Sequence, residues 1–533
     1  MESTHSTTGA IPLPGPEPTY EVGTRKLLIT LTVITCAIME LIDTSIVNVA
    51  TRQIAGTLGA TIEETAWVIT AYAVSNIIII PLTGFLSDIF GRKVYFTASV
   101  VLFTVASFLC GSAQSIEMLI LWRFVQGIGG GALLATAQTV LVETYPPEEL
   151  NKANGIFGAG IVMGPTLGPV LGGYLTDNFH WGWIFYVNVP IGIIATILSW
   201  KFIKGTKHQR DGKIDYLGIL FMVVGIGCLQ IFLEEGERKD WFNSSLIVTL
   251  GVASAIGLAL FIYRELTIKH PVVDLKVLGN RNVAVGSVLR FAFGVGIYCS
   301  VFLYPVFVQG FLGWNATRTG LLMLPSSLIT GTLMGAMGAA INKGVNPKLL
   351  VIIGFSFVIA YEILTYFSAT LQAGEADFFW PQLIRGIGFG FIFVPVAGLS
   401  LSGLRGKDIA QASGITNMLQ LLGGAVGIAV VNTFVARRIS IHRMDLLPNI
   451  SLSNPPATDR FQGLVMQFQA SGRSLVDAQK MATGVLEGAV STQAAVISYA
   501  EGFMLIGIIC AAVLPLVLLA KIEKGPVNLG GAH

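Results

Sequence analysis

The chain has 533 residues, 53% of them hydrophobic and only 12% charged, with a formal net charge of +2. Water-soluble domains carry about 25% charged residues, so this composition excludes a soluble fold, and the absence of a basic stripe excludes a nucleic-acid partner. Apolar runs near the length that spans a bilayer's hydrocarbon core recur throughout, which makes the chain an all-α polytopic membrane protein embedded in lipid.

The first 24 residues are polar and proline-containing, without a cleavage-type signal. Arg25-Lys26 then precede an apolar run that reads as a retained first span. Fourteen spans are predicted near 27–49, 65–86, 94–113, 118–141, 154–176, 182–203, 215–233, 245–263, 283–309, 318–341, 348–369, 379–402, 410–435 and 499–520. An even number places both termini on one side. With the termini inside, twenty Lys/Arg fall in inner segments and ten in outer ones, so the positive-inside rule makes both termini cytoplasmic. All five cysteines sit in apolar runs without metal-ligand spacing and read as packing residues.

An internal repeat organises the spans. QGIGGG at 126–131 resembles RGIGFG at 385–390, and ANGI at 153–156 resembles ASGI at 412–415, both at an offset of 259 residues. Two related six-helix bundles follow, as in transporters built from repeated halves. The expected division is a tail (1–26), a first bundle (27–206), two additional helices with linkers (207–281), a second bundle (282–520) and a tail (521–533). The second bundle contains a long polar outer loop at about 438–498, in which 475–490 has the pattern of an amphipathic helix. That segment is either a surface loop or a docking surface for a periplasmic partner.

The first span contains MELIDTSIVNVA, where Glu40 and Asp43 share a helix face. At about 1.5 Å per residue, Glu40 lies near mid-membrane and Asp43 one turn further out. Carboxylates at that depth are costly and mark function by default; the alternative is a fixed ion pair. Arg123, in LWRFVQGIGGGA of the fourth span, is roughly level with Asp43 and is either its partner or a snorkelling side chain. A carboxylate placed between an arginine and an apolar cavity is suited to loading and releasing protons.

GFLSDIFGRK joins spans two and three. Gly84 and Gly91 suit a tight turn, Arg92 and Lys93 anchor it on the inner side, and Asp88 is a candidate gating charge. Asn76, Gln126, Gln309, Arg385, Asn417 and Gln420 are candidate cavity-lining residues, each equally readable as glue between helices. Arg290 is expected to snorkel, and Glu362 is either a second proton-linked acid or a paired residue. In GIVMGPTLGPVLGG, Gly160, Gly164, Gly168 and Gly172 form a ridge one turn apart, with Gly173 beside it and Pro165 and Pro169 bending the helix. The expected neighbour of this ridge is the small-residue-rich span near 318–341 in the opposite half. No nucleotide-binding GxxxxGK[ST], HExxH or GxSxG sequence occurs, which argues against an ATP-driven pump and against an enzyme.

Together these stretches resemble the major facilitator superfamily, within it the fourteen-helix drug:proton antiporters of the EmrB/QacA type. GFLSDIFGRK, IDTSIVNVA, LWRFVQGIGGG and GIVMGPTLGPVLGG match family motifs in order, and HWGWIFYVNVPIG matches the fourteen-helix branch. DNFHWGWIFYVNVPIG and GIGCLQIFLEEGERKDWF bring the match especially close to the EmrB branch. The resemblance implies the major facilitator fold, two six-helix bundles plus two extra central helices. It also implies a Gram-negative inner membrane and, as partners, a membrane-fusion adaptor and an outer-membrane channel. The expected activity is proton-driven export of lipophilic, drug-like compounds by alternating access, without a cofactor. The alternatives are a dedicated exporter of one metabolite, lipid precursor or siderophore, and a sensor or scaffold that does not transport.

Overall fold

The computed structural model describes residues 21–521 apart from 22, 206–214, 269–270, 272, 405–406 and 451–453. The expected terminal tails therefore lie almost wholly outside the described residues, as do Lys207, Arg210 and Lys213. Among the described residues every regular element is a helix. In chain order they are α1 (Gly23–Leu58), α2 (Ile62–Phe90), α3 (Arg92–Gly111), α4 (Ile116–Thr144), α5 (Pro147–Asn178), α6 (Trp183–Tyr186), α7 (Asn188–Phe202), α8 (Tyr216–Glu235), α9 (Ser245–Thr267), α10 (Arg281–Phe311), α11 (Ala316–Asn342), α12 (Pro347–Ser368), α13 (Glu375–Leu401), α14 (Lys407–Leu446), α15 (Pro455–Ala470) and α16 (Leu475–Val513). Among the described residues, thirteen stretches are long and apolar enough to cross a membrane, α6 and α7 counting together. The glycine-rich α5, at 32 residues, is a fourteenth helix of spanning length.

Short polar residues start these helices where the apolar runs begin. Thr61 and Glu64 form a capping box on α2, and Ser115, Asn346 and Ser474 accept amide hydrogen bonds at the starts of α4, α12 and α16. Each satisfies backbone donors that a helix start leaves free. Arg25 at the start of α1 donates to the Phe202 carbonyl at the end of α7 (3.1 Å). Lys348 at the start of α12 donates to the Leu518 carbonyl (3.3 Å). In each half, the start of one span thus meets the end of that half's last span at one end, the basic end; the other is the hairpin end.

The repeat seen in the sequence is a repeat in packing. A Cβ on Gly127 or Gly131 of α4 would lie 2.5 Å from a backbone oxygen of α2, and one on Gly129 would lie 2.8 Å from the Phe103 nitrogen of α3. At the same offset, Gly386 and Gly390 of α13 press on α11 and Gly388 presses on α12. Equivalent glycines therefore seat α2 and α11, α3 and α12. The halves α1–α7 and α10–α16 meet directly, α5 against α11 and α2 against α14.

The extra pair α8–α9 is central in the chain but peripheral in space. Met222, Ile226 and Phe261 pack with Phe85 of α2 and Ile415 of α14, so the pair covers the outside of the α2/α14 seam. Arg264 of α9 pairs with Asp215 (Nη2–Oδ1 2.6 Å), which also caps α8 by accepting from the Gly218 amide (3.1 Å). The Arg264 hydrogen bond holds the Asp215 carboxyl below the usual carboxylate range. A depressed group stabilises the fold above its unfolded pKa and loses that contribution as pH falls through its folded value. Asp215→Ala is accordingly expected to cost about 1–3 kcal/mol at neutral pH. Thermal unfolding in detergent should show the gap from the parent protein closing as the pH drops below the carboxylate range.

The stretch at 438–498 is not the loop expected from its polarity. The flanking spans α14 and α16 extend outward to 40 and 39 residues, and α15 lies between them. α15 packs on α16 through Leu464, Val465, Ala478 and Ala482. Arg438 donates twice to Glu501, both at 2.5 Å, and Arg443 pairs with Glu487, which fastens α14 to α16. Small apolar residues at helical spacing build a helical hairpin from a segment whose average composition is that of a loop.

Candidate transport site

The first half encloses a polar cluster drawn from five helices. Asp43 of α1 is fully buried, and Arg123 of α4 reaches its Oδ2 through Nη1 at 2.6 Å. Gln126 Nε2 and Asn188 Nδ2 each donate to Asp43 Oδ1 at 2.9 Å. Ser107 Oγ of α3 accepts from the same two amides at 3.1 Å. Arg123 also donates to Gln126 Oε1 (2.7 Å) and, through Nε, to the Val68 carbonyl (3.2 Å). Its guanidinium carbon lies 4.1 Å from the centre of the Tyr72 ring. Three donors converge on Asp43, an arrangement that suits the carboxylate form.

Glu40 lies one turn along α1 and is held differently. Tyr72 Oη donates to its Oε1 at 3.3 Å and Asn76 Nδ2 at 3.0 Å, while Oε2 is buried without a hydrogen-bond partner. Tyr72 thus touches both acids' networks, with its ring on Arg123 and its hydroxyl on Glu40. A buried, half-satisfied carboxylate at this depth is able to exchange a proton or meet a cationic ligand.

The glycine ridge of α5 builds this site from behind, and its neighbour differs from the one expected. A Cβ on Gly160, Gly164, Gly168 or Gly172 would strike Ile38, Leu41, Ser45 or Val49, all on α1. The ridge therefore seats the acid-bearing helix of its own half. The approach to α11 uses another face, at Gly158, where a Cβ would meet Met334. The helix runs unbroken through Pro165 and Pro169, and Gly173 lies beside the ridge.

These features decide a family together with the comparison to known proteins. The Major Facilitator Superfamily pattern matches residues 33–428. The chain belongs to the major facilitator superfamily. It is 35% identical to "Fatty acid resistance protein FarB" of Neisseria gonorrhoeae over 96% of this chain and 98% of that protein. It is 33% identical to "Multidrug export protein EmrB" of Escherichia coli K12 over the same shares. Among solved structures, a bacterial homologue of the human lysosomal transporter Spinster, in an inward-facing and unoccupied conformation, aligns with a TM-score of 0.57 at 14% identity. It covers 95% of this chain and 100% of that one, and the likeness extends to the fold alone.

Within this major facilitator chain the remaining candidates are scattered. Gln126 is spent on Asp43 inside the first half rather than lining a cavity, and Asn76 is a partner of Glu40. Asn417 of α14 donates to Gln138 of α4 at 3.0 Å, a bond between the halves near the basic end. Gln420 accepts from Arg290 Nη1 at 2.5 Å, and Arg290 lies 5.0 Å from the Phe393 ring centre. Arg290 is 2% exposed, so it points into the second half and does not snorkel as expected. Arg385 is buried and donates through Nε to Ser326 (3.3 Å), and Gln309 is half-buried near the hairpin end of α10. In the GFLSDIFGRK turn, Gly91 takes φ +79°, Arg92 pairs with Glu143 of α4 within reach of Asp88, and Lys93 lies 4.8 Å from the Trp200 ring centre. Gly84 is exposed and faces open space. These partners brace the turn to its own half.

Sequence reasoning missed Tyr72, Ser107 and Asn188. Asn188 lay inside YVNVPIG, noted only as a mark of the fourteen-helix branch. A lone intramembrane asparagine two residues from a proline was the available signal.

Proposed function

We propose that the protein is a proton-coupled antiporter that exports lipophilic or amphiphilic compounds by alternating access. The observation that carries this reading is the Asp43–Arg123 pair, buried at membrane depth within a network that draws on three further helices, beside a second buried acid. Burying such a pair costs desolvation that a hydrophobic substitute would avoid, which supports a role in function over one in stability. The direct contact of α5 with α11 and α2 with α14 supplies two bundles able to rock about their seam. Relatives named for multidrug export and for fatty acid resistance support lipophilic cargo.

The membrane is the cytoplasmic (inner) membrane with both termini inside, as the Lys/Arg distribution favours. The hairpin of α14–α16 then stands in the periplasm, where a membrane-fusion adaptor feeding an outer-membrane channel would dock. Asp88, Arg92 and Lys93 act as the gating turn, and no cofactor takes part.

Purified protein in liposomes tests the reading. An imposed pH gradient should drive movement of several chemically unrelated lipophilic dyes and antibiotics. Movement of one compound alone would favour a dedicated exporter, and no gradient-driven movement across a broad panel would sink the antiporter reading.

A further inference from the structure

The second half holds a buried cluster that the account above does not use. Glu362 of α12 is fully buried, with its Oε1 2.5 Å from Ser300 Oγ of α10. Arg385 of α13 is close enough to act on its charge. Around them, Glu362 Oε2 is buried without a hydrogen-bond partner, and Tyr304, Tyr361, Gln382 and Arg385 bury polar atoms whose hydrogen bonds to one another are loose at best. Buried polar atoms are nearly always satisfied, so this under-satisfied group around a buried acid suits a site that takes water and protons. The titratable groups facing Glu362 are Arg385 from α13, Cys299 from α10 and Cys510 from α16, with Tyr361 beside it on α12.

The cluster is the first half's site with its parts dealt to other helices. At the repeat offset of 259, Arg123 corresponds to Gln382 and Gln126 to Arg385, so Arg-x-x-Gln has become Gln-x-x-Arg. In the first half the acid is on the first helix (Asp43 of α1) and the serine on the third (Ser107 of α3). In the second half the serine is on the first helix (Ser300 of α10) and the acid on the third (Glu362 of α12). Arg123 and Gln382 stand at the same depth, each seven residues into its helix from the hairpin end.

Donor counting separates the two acids. Ser300 has one hydroxyl proton, yet its oxygen lies 2.5 Å from both the Gly296 carbonyl and Glu362 Oε1. With Glu362 ionised, that one proton is shared between two acceptors; with Glu362 protonated, its own O–H donates to Ser300 and both contacts become full hydrogen bonds. Asp43, by contrast, receives three donors.

We propose that Glu362 is a second proton-carrying site, loaded in the conformation described here while Asp43 is unloaded, so that a transport cycle moves one more proton than Asp43 alone accounts for. On release, the O–H bond at Glu362 breaks and its proton passes through the Tyr361–Tyr304–Gln382 group to solvent. The carboxylate left behind takes Arg385 as its counter-ion. This proposal rests on the antiporter reading.

The test is the proton-to-substrate ratio of the full chain in liposomes, from parallel proton and dye fluxes, in Glu362→Gln, Glu362→Asp and the parent. The expected result is a ratio lower by one proton in Glu362→Gln, with dye binding kept, and the parent ratio in Glu362→Asp. Infrared spectra at neutral pH should show a protonated carboxyl band in the parent that Glu362→Gln lacks. An unchanged ratio with no missing band overturns the proposal and leaves Glu362 structural. A parent that moves dye without protons overturns the antiporter reading itself. Should Glu362→Gln fail to fold, Ser300→Ala keeps the acid and removes its oxygen partner. The carboxyl band should then shift in position, and an unshifted band overturns the assignment.

Discussion

In Asp43→Asn, gradient-driven export is expected to fall to the passive leak rate while substrate binding survives. The substitution keeps size and shape but removes the charge that Arg123 faces at 2.6 Å. Arg123 is left as an unpaired buried cation, and breaking one side of a buried pair costs about 3–5 kcal/mol. Part of that is recovered, because Gln126, the Val68 carbonyl and the Tyr72 ring still hold the guanidinium. The asparagine side chain cannot load and unload a proton, so the coupled step disappears even where the fold persists. Dye flux under an imposed pH gradient measures the first effect, and equilibrium dye binding in detergent measures the second. Glu40→Gln alone should weaken coupling less, since its carboxyl has an unpartnered oxygen and makes no bond to Arg123. Full active transport by the double variant would remove both acids from the mechanism.

Gly164→Leu should abolish most export without preventing membrane insertion, through its own half and not through the seam between halves. A Cβ at Gly164 would stand 2.5 Å from Leu41 Cβ, an atom fixed to the α1 backbone that no rotamer change can move. Helix α5 must then retreat from α1 beside Glu40, and overpacking of this kind costs about 1–3 kcal/mol or more. The displacement of α1 shifts Asp43 away from Gln126 and Asn188, so binding and coupling fall together. Gly164→Ala should show the same defect in milder form. Gly335→Ala on α11, where a Cβ meets nothing within 4 Å, should behave as the parent protein. Cysteine pairs spanning α1 and α5 would report the change in separation. Normal export by Gly164→Leu would show that the ridge does not position the acids.

The depth of the acids was readable because distance along a helix converts directly into depth across a membrane. Counting from the span ends put Arg123 and Asp43 on one level, and in the structure they touch. The direction each helix faces was not readable in the same way. Helix α5 carries small residues on more than one side, and nothing local in GIVMGPTLGPVLGG says which side meets α1 and which meets α11. Arg290 shows the same gap: nine residues into α10, it has the reach to snorkel, and only the presence of Gln420 and Phe393 on neighbouring helices turns it inward.

Hydropathy, charge asymmetry and the 259-residue repeat determine, from the sequence alone, a chain of fourteen membrane-spanning helices in two related halves with acids and an arginine at matched depth. Those properties follow from the bilayer, which sorts residues by polarity along one axis. The tertiary structure alone decided the partners: Tyr72, Ser107 and Asn188 around the acids, α1 against the glycine ridge, and the α8–α9 pair on the flank of the seam. Helix rotation and helix order are set by close packing among side chains far apart in the chain. Lipid, uniform in the membrane plane, imposes neither.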